Sequence, residues 1–505
     1  MPLLRSRNFH AKRPAYAGYN RPMRIFKFRS LAALAILGAA LSAIPSPVQA
    51  QQITPLSPAD RATAIEIFKQ LIEINTTDTA LGNVTTGTTA MLKRFQDAGF
   101  PASDLHLLGP DPRKQNLVVR IHGTGSGKPV LFLCHMDVVE ALPKDWHTDP
   151  FKFIEQEGYY YGRGTQDMKD SDAALVATFL WLHREGYKPK RDLILALTAD
   201  EEGGTFNGAN WLVENHRDLV DAAFVINPDA GGIDLEQGKP IEADVEASEK
   251  VYADFSVTAA NRGGHSSLPR TDNAIYELTA ALNKLAAYHF PFELNGVTRA
   301  YVTEMAKLET GSKAADLRAI LATPPDMGAV DRLSTDPGWN SVLHTTCVAT
   351  RLAGGHANNA LPQSAEANIN CRILPGHPPE EVKQQLVALF ADPGLNVETV
   401  VKGVVSSGVA TRPTAPPPPL DEVFVPMRKL VDQLWPGTPV VPEMETGASD
   451  SVFFAAVGVP CYGFSAVALE HDDVRAHGQD ERIPISSYDK SVQFFYAYAK
   501  ALGSE

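Results

Sequence analysis

The sequence predicts an α/β protein: a mostly parallel sheet with helices on its faces, interrupted by a smaller inserted α+β unit of ferredoxin-like order. Three observations carry that reading. Short apolar runs alternate with helical stretches as far as about Asp244. Between about Glu249 and Gly403 the order becomes strand-helix-strand-strand-helix-strand. From Leu420 the α/β alternation resumes. With 505 residues, 44% of them apolar, the chain can bury a large core in two domains.

The first 50 residues stand apart. They hold eight Lys/Arg and no Asp/Glu, a basic stretch (Arg24, Lys27, Arg29) ahead of an apolar run at 31–44, and Val48-Gln49-Ala50, which fits a cleavage site. Residues 1–50 are expected to be a signal peptide cut after Ala50, with an uncleaved anchor as the alternative; Met23 gives a better-proportioned start than Met1. The mature protein is then secreted or periplasmic, with no stable membrane association. Removing this segment takes the formal net charge from −13 to about −21, which argues against a nucleic-acid partner.

The mature chain opens with a helix. Ser57-Pro58 supplies an N-cap and an N1 proline, and Ala64, Phe68, Leu71 and Ile72 line one face. Strands follow at 116–121, 129–134, 192–198 and 222–226, with helices at 171–185 and 209–215. In the insert, 251–259 reads as a strand, 273–287 as a helix, 344–351 and 365–374 as strands, 378–390 as a helix and 395–401 as the last strand. Residues 290–341 are additional to that order and show no assignable fold. A proline-rich connector (Pro413, Pro416 to Pro419) closes the insert. The expected boundaries are 51–248 and 404–505 for the α/β domain and 249–403 for the insert. Cys347 and Cys371 fall on two insert strands, and export would leave them a disulfide or two buried thiols. None of the four cysteines has zinc-ribbon spacing.

Five side chains sit just past apolar runs or in glycine-rich turns: His135, Asp167, Glu202, Asp229 and His477. Three of them follow the strands ending at Cys134, Thr198 and Ile226. In an open parallel sheet, ligand sites form outside the carboxyl ends of the strands. Two imidazoles and three carboxylates gathered there make a mixed N/O site suited to a pair of zinc-like ions, which is the site of a two-metal hydrolase. Taken singly, each residue has a plainer reading: His135 with Asp137 as a satisfied core pair, Asp167 and Asp229 as turn residues, His477 as an exposed polar loop residue. Asp200-Glu201-Glu202-Gly203-Gly204 is sharper, because three successive carboxylates repel one another unless cations offset them. Neighbouring side chains on an extended segment point to opposite sides, so Glu202 can ligate a metal while Glu201 faces a substrate as general base.

The motifs together resemble the M20 metallopeptidase family, which includes carboxypeptidase G, aminoacylase, carnosinase and succinyl-diaminopimelate desuccinylase. They are His135-x-Asp137, Gly162-Arg163-Gly164-x-x-Asp167-x-Lys169, Glu201-Glu202-Gly203, Gly263-Gly264-His265-Ser266-Ser267, Asn359-x-x-Pro362, Arg372-Ile373-x-Pro375-Gly376, Gly447-x-Ser449-Asp450 and Ala476-His477-x-x-x-Glu481-Arg482. The long insert looks more like the carboxypeptidase S branch.

The resemblance implies two zinc ions (cobalt or manganese as substitutes) bridged by Asp167, with His135 and Asp229 completing one site and Glu202 and His477 the other. Several relatives carry Glu where Asp229 stands. Glu201 matches the catalytic acid/base, Asp137 the orienting carboxylate, and His265 a lid histidine that often reaches the other subunit's site. Arg372, Gly447 and Ser449 match groups that bind the substrate's carboxylate, and Asn359 a second lid contributor. The implied substrate is a small peptide, with an N-acyl amino acid as the alternative. The implied assembly is a homodimer through the insert. A non-catalytic binding protein on the same scaffold would have lost Glu201 or a ligand, and all are present.

Overall fold

The computed structural model describes residues 53–400 and 415–504. The leader at 1–50 and the boundary at 403/404 lie outside the described residues.

The apolar runs build one six-stranded sheet in the spatial order Leu105–Leu108, Asn116–Ile121, Leu193–Thr198, Val130–His135, Phe224–Ile226, Cys461–Tyr462. The last four run parallel, and Asn116–Ile121 pairs antiparallel with both of its neighbours. Both faces are covered, which is why the strand Val130–His135 is apolar without alternation. Its Val130, Phe132 and Cys134 enter a core shared with the helices Pro58–Ile72, Lys169–Arg184 and Ile485–Gly503. Its Leu131 and Leu133 enter the opposite core, under Gly208–Asn215 and Ser451–Ala456. Ser57 caps the first helix as the sequence suggests, its Oγ accepting from Asp60 N at 3.1 Å.

A second sheet was not anticipated. Its order is Val440–Glu445, Lys239–Glu249, Gly232–Glu236, Ala468–Glu470. The strand Lys239–Glu249 buries Ala243, Val245 and Ala247 on one side of a period-two pattern.

A third sheet is wholly antiparallel, in the order Thr346–Gly354, Ser364–Ile373, Val251–Ala260, Leu395–Val400. The helices Ala274–Ala286 and Pro379–Phe390 pack on it around a core of its own. Cys347 and Cys371 stand opposite one another in this sheet and are joined by a disulfide. The stretch unassigned from sequence holds four helices, Gly296–Leu308, Gly311–Ile320, Met327–Leu333 and Pro337–Leu343, around Val302, Leu317, Val330 and Leu343. The first of them packs on the strand Val440–Glu445. Among the described residues no helix is long and apolar enough to cross a membrane.

Candidate metal centre and active site

His135 ends its strand with its ring buried. Its Nδ1 lies 3.0 Å from the Asp137 carbonyl oxygen. A carbonyl can only accept, so Nδ1 carries the proton and the lone pair of Nε2 points into the site. That Nε2 is 3.0 Å from Asp167 Oδ1 and 3.3 Å from Asp229 Oδ1. On the other side of Asp167, His477 Nε2 is 2.9 Å from Asp167 Oδ2 and 2.9 Å from Glu202 Oε1. Two sets result, His135–Asp167–Asp229 and Asp167–Glu202–His477, with the donor atoms of each within 4.8 Å of one another. These are the five residues singled out from sequence.

The donor chemistry fits cations. Each Nε2 faces two carboxylate oxygens; at His135 its lone pair meets theirs, donor against donor, which a cation between them resolves. Asp167 Oδ1 is buried and has no hydrogen-bond partner despite the nearby imidazole. Burial holds Glu202 up to about 7 and pushes Glu201 well above the ordinary carboxylate range, with the charge of Asp229 adding to it. The contacts with Asp167 and Glu202 raise His477 to about 10. A crowd of desolvated carboxylates this dense is relieved by positive charge between them.

The turn carrying Glu201 and Glu202 departs from the extended segment expected. Asp200 adopts φ 60°, and its carboxylate is held by Lys114 and by Phe206 N at 3.2 Å. Gly204 is required there: a Cβ would come within 2.2 Å of the Asp200 carboxylate. Asp137 also acts differently from expectation. Its carbonyl orients His135, whereas its carboxylate accepts from Glu201 N (3.1 Å) and Glu202 N (3.0 Å), fixing the turn that presents both glutamates.

Sequence reasoning assigned no role to Arg163 or Glu481, though both lie in the quoted motifs. Their buried ion pair (2.6 Å) joins the turn that carries Asp167 to the loop that carries His477. Glu481 accepts from the amides of Gly164, Gln166 and Asp167, and Arg163 donates to the carbonyls of His477 and Gly478.

Arg372 lies beside the 446–449 loop. Its Nη1 donates to Thr446 O at 2.7 Å and its guanidinium stacks over Tyr252. The amides of Gly447 and Ser449 are turned toward Glu445 and Glu249, at 2.9 Å each. His265 and Asn359 meet on a short ribbon in which Gly264–His265 pairs with Ala360–Leu361, and Asn359 O accepts from Ser266 N. Both are exposed, and the His265 ring bonds within its own turn, to Ser267. Neither residue is hydrogen-bonded to the metal-site groups.

Comparison with known proteins is consistent with this arrangement. The N-fatty-acyl-amino acid synthase/hydrolase PM20D1 of Xenopus tropicalis is 31% identical over 379 residues, 73% of this chain and 71% of that protein. A Dictyostelium discoideum protein named probable carboxypeptidase S-like 2 is 27% identical over 386 residues, 74% of this chain and 71% of its own. The crystal structure of the M20 family metallo-carboxypeptidase Sso-CP2 from Sulfolobus solfataricus superposes with a TM-score of 0.62 at 17% identity, covering 87% of this chain and 99% of that one, a likeness of fold. The model of peptidase family M20/M25/M40 matches residues 131–501, which span the whole candidate site, and the chain belongs to that family of hydrolases.

Proposed function

We propose that the chain is a two-metal amidohydrolase that cleaves an amide or peptide bond next to a free carboxylate in small peptides, as a dipeptidase or carboxypeptidase does. The carrying observation is the pair of imidazole–carboxylate sets that share Asp167. Zinc suits these donors, with cobalt or manganese as substitutes. Two such cations polarise an amide carbonyl and acidify a water. Glu201 takes the proton of the attacking water and returns it to the leaving amine; its burial favours the proton-bearing form it needs for the second task. Arg372 anchors the substrate carboxylate, so the scissile amide is presented in one orientation. His265 donates to the developing oxyanion once it is brought to the site.

A second reading is hydrolysis of N-acyl amino acids. The Xenopus tropicalis relative, named a fatty-acyl-amino acid synthase/hydrolase, favours it. Both substrate classes leave a free carboxylate beside the amide. Measuring amino-acid release from panels of dipeptides and N-acyl amino acids, with and without chelator, tests the proposal and separates the two readings. Activity on neither panel overturns it.

The segment 249–403 serves in this account as a lid over the catalytic layers 51–248 and 404–505, and as the contact of a homodimer. Its separate core supports that reading. So does its edge strand Thr346–Gly354, which exposes Val348 (60%) and Leu352 (69%) beside Tyr276 (63%) of the adjoining helix. Export is supported by the leader composition and by the disulfide. Sequencing the mature amino terminus decides it: Gln51 is expected, and a cytosolic protein starting at Met1 or Met23 overturns it.

A further inference from the structure

The 446–449 loop, read above as part of the carboxylate subsite, is strung between two carboxylates. Glu445 Oε1 accepts from Thr446 N (2.7 Å) and Gly447 N (2.9 Å). Glu249, the last residue of the strand Lys239–Glu249, accepts from both the amide and the hydroxyl of Ser449. The Ser449 hydroxyl in turn accepts from Asn227 Nδ2 at 3.1 Å, two residues before Asp229. A continuous chain of hydrogen bonds therefore runs from Glu249 through Ser449 and Asn227 to the turn bearing a proposed metal ligand.

Glu249 also has an unusual neighbour. Glu246 is buried, and neither of its carboxylate oxygens receives a hydrogen bond from an amide, hydroxyl or cationic group among the described residues. Burial raises both Glu246 and Glu249 well above the ordinary carboxylate range, and the charge of Glu249 adds to the effect on Glu246. A small cavity of about 30 Å³ adjoins them, bounded also by Ser248, Lys250 and Cys461. The Lys250 ammonium, on a residue that borders the same cavity, is committed to His344 O (2.7 Å).

We propose that Glu249, which accepts from both the amide and the hydroxyl of Ser449, is a positioning residue for the loop that receives the substrate's carboxylate. The proposal rests on the reading of Arg372 and this loop as the carboxylate subsite. It assigns Glu249 no contact with substrate; its effect passes through Ser449.

The test uses the metal-loaded full-length enzyme and two matched substrates, one with a free carboxylate and one with that group amidated. Glu249→Leu, which keeps volume but removes the acceptor, is expected to raise KM for the acid at least about tenfold while leaving the amide's KM within about threefold. Glu249→Gln keeps Oε1 as an acceptor and is expected to restore the acid's KM to within about threefold of wild type. If Glu249→Leu does not fold, Ser449→Ala removes the hydroxyl half of the contact and is expected to show the same selectivity for the acid. Equal KM increases for acid and amide would mark a merely structural residue and overturn the proposal, as would an unchanged KM for the acid. A wild-type enzyme that does not prefer acid over amide would instead overturn the subsite reading itself.

Discussion

Glu201 and Glu202 are neighbours in sequence and are given different work, and the difference is measurable. Glu201→Gln should reduce kcat by about 10²–10⁴-fold or more with metal content unchanged, since general acid/base catalysis contributes on that scale. Glu202→Gln should lower metal content first, because Glu202 Oε1 faces His477 Nε2 at 2.9 Å. Kinetics paired with elemental analysis of both variants checks the assignment; a Glu201→Gln enzyme with wild-type kcat contradicts it. The proposed ligands were legible because each stands at a strand end or in a glycine turn, where local pattern is enough to find it. The clamp that aligns them was not, because Arg163 and Glu481 are separated by 318 positions and only the fold brings them together. Glu481→Ala would leave the Arg163 guanidinium buried and unpaired. It should cost about 3–5 kcal/mol of stability, read as a fall in Tm, and loosen His477 as well.

The elements read best from sequence were those with local signals: the capped first helix, the twice-buried strand Val130–His135, and the strand and helix order of the disulfide-bearing sheet. The strand Lys239–Glu249 was missed although Ile241, Ala243, Val245 and Ala247 alternate along it. Its intervening positions are acidic, and its parallel partner Val440–Glu445 lies about 200 residues away, so no local signal marks it as a strand. The helices between residues 290 and 343 were illegible for a related reason: they are short, seven to thirteen residues, and gain order from packing on each other. The disulfide is the testable staple at this scale. It closes a span of 24 residues, so replacing Cys347 and Cys371 with Ser should destabilise the protein by about 3 kcal/mol. Thermal unfolding of the double variant, and of wild type with and without reductant, measures it. An unchanged Tm would mean that the two strands are held by their backbone ladder alone.

At the scale of the whole molecule, the His265 ring bonds to Ser267 and not to the metal-site residues. The account predicts a shared site in a homodimer. An inactive His265→Ala chain mixed with an inactive Glu201→Gln chain should regain part of the activity under conditions in which subunits exchange. No recovery despite demonstrated exchange would put His265 in its own subunit's site or outside catalysis. Beneath every step lies the claim that Asp167 is shared by two cation sites, and metal stoichiometry tests that claim most directly. Elemental analysis of the purified protein should find two divalent ions per chain, with hydrolysis lost on chelation and regained with zinc, and with Asp167→Asn losing both ions together. A protein without stoichiometric metal, whose hydrolysis is untouched by chelator, would contradict it.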